Sequence, residues 1–207
     1  MKKVLIGIFL CSCIAVNAQS DSVASIIEKI RQANLEYTSI TSDFTQVRHL
    51  SFMNENISSS GKFFYSKPDR LSMKYEQPVG DLMLINNDLL VMISEGKYNK
   101  ASAKSSSRAR TMKNILSSCL QGVVSFIEGV TLSSKETVDS YVITAKLKKK
   151  MKSGVDKVVL SYDKLNLTLS TLRMEEPDGS YTMYTLINKV LNQPVDDEVF
   201  QAPSKKK

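Results

Sequence analysis

The sequence predicts an α+β fold: one strongly curved antiparallel sheet of about 10–11 strands, an unclosed β-barrel with helices covering its concave hydrophobic cavity. Three observations predict it. Apolar and polar residues alternate over many short segments, and turn residues separate these segments at close intervals. Only two stretches carry helical spacing, too few for an α/β fold. At 207 residues the chain suits a single domain with a substantial core.

The first element is a leader. Met1-Lys2-Lys3 is a positive start, Val4 to Leu10 is a short apolar run, and Val16-Asn17-Ala18 places small residues around a cut site. This pattern predicts a secretory signal over 1–18, cleaved after Ala18 and too short to span a membrane. Leu10-Cys11-Ser12-Cys13 loosely resembles a lipidation signal at Cys13, but the short run and Cys11 favour plain cleavage. Cleavage leaves Cys119 as the only thiol, so the fold rests on its core rather than on a disulfide. Cys119 sits among Ile115, Leu116 and Leu120 and reads as a small buried residue.

The domain then runs over 19–203. Val23, Ile26, Ile27 and Ile30 give residues 20–33 a helical stripe, with Ser20 or Ser22 as N-cap. From Ser39 the period becomes two, and strands are expected at 39–50, 57–66, 70–76, 81–86, 89–94 and 97–101. Short connections make them an antiparallel meander. In GKFFYSKPDRLSMKYEQP (61–78), Leu71, Met73 and Tyr75 share one face, and Ser72, Lys74 and Glu76 the other. Lys67-Pro68-Asp69-Arg70 reads as a type I turn. Residues 107–128 read as helix broken near Gln121-Gly122, its apolar side including Met112, Ile115, Leu116 and Phe126. Strands resume at 130–137, 140–149, 155–162, 166–176 and 180–190, and 204–207 form a basic tail.

Chemistry-bearing motifs are scarce. Histidine occurs once, at His49 in a strand, and reads as a surface or edge residue. Glu175-Glu176 and Asp196-Asp197 are adjacent acids, and strand neighbours point to opposite faces. No metal-ligand cluster, phosphate-binding glycine loop or nucleophile elbow occurs, so no metal, cofactor or enzymatic activity is expected. The net charge is +7, with lysines concentrated at 146–152 and 205–207. No aromatic-interleaved motif accompanies them, so they read as a solvated loop and tail rather than a nucleic-acid site. Two glycosylation triplets, at Asn56 and Asn166, are short enough to arise by chance. Binding is the remaining class. Methionines at 53, 73, 83, 92, 112, 151, 174 and 183, several at alternating strand positions among leucines, read either as core or as an adaptable lining for acyl chains.

Four stretches carry a family resemblance. They are ITSDFTQ (40–46), SGKFFYSKPDRLSMKYEQP (60–78), DLMLINND (81–88) and MEEPDGSYTMYTLINKVLNQPVDDEVFQAP (174–203). In order and spacing the chain resembles the periplasmic carriers of outer-membrane lipoproteins, the LolA family. The resemblance implies a periplasmic, monomeric carrier without catalysis. Its cargo would be acylated lipoproteins, received from an inner-membrane ABC transporter and passed to an outer-membrane acceptor. It implies a cavity lined by Leu71, Met73, Leu84, Met112, Ile115, Leu116 and Phe126, with Lys67 and Arg70 near a closing lid.

Two positions depart from the family pattern. Lys67 stands where the family has an arginine tied to lid closure, and Met73 where it commonly has a tryptophan. Lysine keeps the charge but lacks the planar fork of donors, a role Arg70 could take. A same-fold carrier of another lipid and a non-transporting lipoprotein-binding sensor remain the alternative readings.

Overall fold

The computed structural model describes residues 22–53, 55–123, 130–147 and 154–203. The expected leader with its two cysteines, most of the 146–152 lysine cluster, Phe126 and the basic tail lie outside them.

Helix α1 spans Val23–Leu35 and α2 spans Ser107–Leu120. Six strands lie between them: β1 (Ser39–Leu50), β2 (Glu55–Ser66), β3 (Arg70–Gln77), β4 (Leu82–Asn86), β5 (Leu89–Ser94) and β6 (Lys97–Ser102). Five follow α2: β7 (Val130–Glu136), β8 (Ser140–Leu147), β9 (Lys157–Asp163), β10 (Leu169–Glu175) and β11 (Tyr181–Leu191). All eleven form one antiparallel sheet in the order β6-β5-β4-β3-β2-β1-β11-β10-β9-β8-β7. The two meanders are each local in sequence. They join through a pairing of the first and last strands, Ile40 with Leu191 to His49 with Tyr181. The outer strands β6 and β7 do not pair with one another, so the barrel stays open.

Alternation places one set of side chains on the concave face. Across the first meander, Phe63, Met73, Met83 and Met92 stand in register. Across the second, Tyr184, Leu172, Leu160 and Ile143 do the same. Gly61 lies between Phe44 and Tyr75 on the flanking strands. A Cβ there would meet the Lys74 carbonyl oxygen at 2.1 Å and Tyr75 Cα at 2.8 Å. The missing side chain lets the Phe44 and Tyr75 rings meet edge to face above it, centroids 5.0 Å apart.

Both helices cover this concave face. Ser22 caps α1, its Oγ accepting from Ser25 N, and Ile26 and Ile30 are buried in the main core. Ser106 caps α2, and Gly122 in the left-handed region follows its end. A Cβ on Gly122 would lie 2.7 Å from Ile30 Cγ2, so the helices meet where this glycine lets them approach. Cys119 is buried in the same core.

The convex face is not wholly solvated. Leu84, Val91 and Phe200 form a second small core, with Phe64, Leu89, Ile93 and Tyr98 against it. The C-terminal segment, with a 3-10 helix at Asp197–Phe200, supplies its cover. Ser72, on the face opposite Leu71 and Met73, is buried as a result.

Three expectations are corrected here. Leu84 belongs to the convex core and does not reach the cavity, because its neighbours Met83 and Ile85 take the concave side of β4. Arg70 points to the same convex side. Its Nη1 donates to Asp197 Oδ1 at 2.5 Å, and its guanidinium carbon lies 4.7 Å from the Phe200 ring centroid. Arg70 therefore clamps the C-terminal segment rather than a lid. The 67–70 turn stands where expected, but its Lys67–Pro68 bond is cis, unlike the trans bond of a type I turn.

Candidate functional site

Between α2 and the concave face lies a cavity of about 1040 Å³. That is the upper end of the range for small-molecule sites. It opens where β1 turns into β2, β3 into β4 and β5 into β6, since Arg48, Ile57, Pro78, Asp81 and Glu95 border it. Met83, Met92, Met112 and Met174 line it from three parts of the fold, joined by Ile115 and Val155. Unbranched thioether side chains change rotamer at low cost, so this wall can follow a flexible apolar guest.

The sequence candidates divide. Met112 and Ile115 line the cavity from α2. Leu71, Met73 and Leu116 lie deeper, beneath the second half of α2, with Phe63, Leu120, Leu172 and Leu186. The void there is only about 20 Å³, room for a water and no more. These residues are core in this conformation. Tyr184 borders both spaces and marks the boundary between them.

Polar groups cross the cavity floor at that boundary. The Tyr75 hydroxyl donates to Gln46 Oε1 at 2.5 Å and also meets the Tyr184 hydroxyl. Burial pushes both phenols above their ordinary range, so they stay protonated and able to donate. On the lid side, Ser107, Thr111 and Asn114 add hydroxyl and amide groups from α2. Arg48, Asp81, Glu95 and Glu176 carry charge around the opening.

The helices are fastened at the opposite end. Lys67 Nζ donates to the carbonyl oxygens of Asn34 at 2.6 Å and Leu35 at 2.9 Å, closing the C-terminus of α1. A cation there meets the negative end of the helix dipole, while burial lowers the Lys67 pKa. Gln121 Nε2 donates to the Pro68 carbonyl at 3.2 Å, bringing the end of α2 to the same turn. Lys113 pairs with Asp69 at 3.0 Å and Asp88 at 3.6 Å. On the other flank, the buried Tyr162 hydroxyl donates to the Cys119 carbonyl at 2.7 Å. Lys67 thus holds α1, and Gln121, Lys113 and Tyr162 hold α2.

Sequence reasoning missed Gln46 and Tyr184 as cavity residues, and it offered Met83 and Met174 only as methionines that could be core or lining. Gln46 and Arg48 share the parity of buried Phe44 on β1, a usable signal. Tyr184 could be placed only through the pairing of β1 with β11.

Comparison with known proteins agrees with this geometry. Residues 36–203 match the family described as outer membrane lipoprotein carrier protein LolA. No curated protein matches. Among solved structures, a DUF1329 family protein from Desulfovibrio piger superposes with a TM-score of 0.51 at 15% identity, covering 85% of this chain and 94% of that one. An uncharacterized conserved protein from Thermus thermophilus gives 0.53 at 8% identity, covering 87% and 94%. The Pseudomonas aeruginosa MucA/MucB complex gives 0.52 at 10% identity, covering 87% of this chain and 60% of that one. At these identities the structural likeness shows the fold, and it is the family match over most of the chain that carries a lipid- or lipoprotein-binding, carrier-type role. With its open eleven-stranded sheet and helix-covered cavity, the chain belongs to the LolA family of outer membrane lipoprotein carrier proteins.

Proposed function

We propose that this protein is a periplasmic carrier that takes up the acyl chains of lipoproteins and shields them between the inner and outer membranes. In this reading an inner-membrane ABC transporter loads it, an outer-membrane acceptor unloads it, and no covalent chemistry occurs. The observation that carries the proposal is the methionine-lined cavity of about 1040 Å³, open at one end and roofed by α2.

The energetics explain why such a cavity is needed. Burying a methylene is worth about 0.8 kcal/mol, so one long chain is stabilised by on the order of 10 kcal/mol. An acyl chain left in water would not leave one membrane for another at a useful rate. A lining that adapts without fitting tightly also permits release to an acceptor that holds the chain more strongly. Phe52, Met53 and Val79 stand exposed on the turns beside the opening, apolar tips suited to the surface that delivers or receives cargo.

Mass spectrometry of lipid bound to the protein isolated from its native compartment tests the proposal. Acylated lipoprotein is the expected finding. A different lipid would reassign the cargo to the same-fold alternative, and protein recovered without lipid from cells lacking an acceptor would sink the carrier reading.

A further inference from the structure

We infer that Gln46 is a cargo-anchoring residue whose side-chain amide donates to the ester carbonyl of an acyl-glycerol linkage, so that the cavity favours ester-linked over ether-linked lipids. The inference rests on the carrier reading and deepens it.

Gln46 stands half-buried on β1, bordering the cavity and in register with Tyr184 on β11. Its Oε1 is occupied by the Tyr75 hydroxyl at 2.5 Å. That bond fixes which way the amide lies and turns Nε2, with two N–H donors, to the remaining side. Among the described residues Nε2 makes no hydrogen bond, so its donors are served by water while the cavity is empty. Gln46 is therefore a donor held in place by its neighbour and left without a protein acceptor.

Cargo changes the balance. A hydrocarbon chain against Met83, Met112 and Ile115 expels water from the cavity. The Gln46 donors then lose their partners, and an unpaired buried donor is costly. An ester carbonyl arriving with the chain restores the bond. An ether analogue of equal length removes the same water but brings only a weak acceptor. A site built around a polar group rejects ligands that leave this group unpaired more strongly than an apolar pocket rejects a shape change. Arg48, two residues further along β1 and on the same face as Gln46, borders the opening, so the linkage region sits one same-face step inside the mouth.

The test measures binding of two glycerophosphocholines, a diester and its diether counterpart with equal chains, by displacement of a fluorescent fatty acid from the full chain. Wild-type protein should bind the diester about tenfold more tightly. Gln46→Leu should bind both lipids alike, and should hold the diether more tightly than wild type does, since no stranded donor is left. Tyr75→Phe should lose part of the preference, since the amide is then free to turn. Equal binding of the two lipids by wild type would overturn the inference without any variant, as would a preference that survives in Gln46→Leu. If wild type binds neither lipid, the carrier reading itself fails and takes the inference with it.

Discussion

The two ends of the concave face are built on the same sheet and under the same helix, yet one is solid and the other hollow. At the inner end Leu71, Met73, Leu116 and Leu120 meet Phe63, Leu172 and Leu186 with almost no free volume. Here Gln121, Lys113 and the Tyr162–Cys119 bond draw α2 down onto the sheet. At the mouth, α2 faces the sheet through Met112, Thr111 and Asn114, and a space of about 1040 Å³ remains. The difference teaches that the polar fastenings, more than the hydropathy of either face, decide where a curved sheet closes into core and where it stays open for a guest.

Substitution at the two ends gives the largest contrast. Leu71→Ala opens a hole in the packed end and should cost about 2–5 kcal/mol, read as a lowered denaturation midpoint. Met112→Ala, at the half-buried rim, should cost about 1 kcal/mol or less, because its side chain already borders open space. Its expected effect is on lipid affinity instead. Equal stability losses at both sites would mean that the mouth is ordinary core, and the contrast would collapse.

Gly61 sharpens the same comparison from the sheet itself. Gly61→Ala should destabilise by about 1–3 kcal/mol, since the new methyl would run into β3 backbone rather than into a flexible side chain. It would also part Phe44 from Tyr75. Tyr75 holds Gln46, so lipid selectivity should change along with stability. Chemical denaturation beside a diester and diether binding assay separates the two effects.

Most of the fold was legible in the sequence, because its information is local. Eleven short segments, most of them alternating and all but two neighbours joined by close turns, give eleven strands, each within a few residues of its expected bounds. What escaped is non-local or depends on parity. The pairing of β1 with β11 joins segments more than a hundred residues apart and has no turn to announce it. Leu84 lies in Leu82-Met83-Leu84-Ile85, a continuous apolar run buried on both faces, and such a run does not reveal which residue points where. Arg70 finds its partner Asp197 across 127 residues. Gln46 is polar, and a search for apolar linings passes over a polar side chain on a cavity floor.

The smallest expected effect concerns the turn that holds α1. Lys67 gives two charge-assisted bonds to the last carbonyls of that helix, in a place where the family pattern has arginine. Lys67→Ala should cost about 1 kcal/mol and, more tellingly, speed amide exchange in the last turn of α1. Exchange in α2 should change little, because its own fastenings pass through Gln121, Lys113 and Tyr162. Lys67→Arg should preserve the hold, since a guanidinium fork can reach both carbonyls at once. If Lys67→Ala instead loosens α2 and raises lipid release, the two helices move as one lid. The inner end would then be a closed state of the cavity, and Leu71, Met73 and Leu116 would return as cargo contacts once the lid opens.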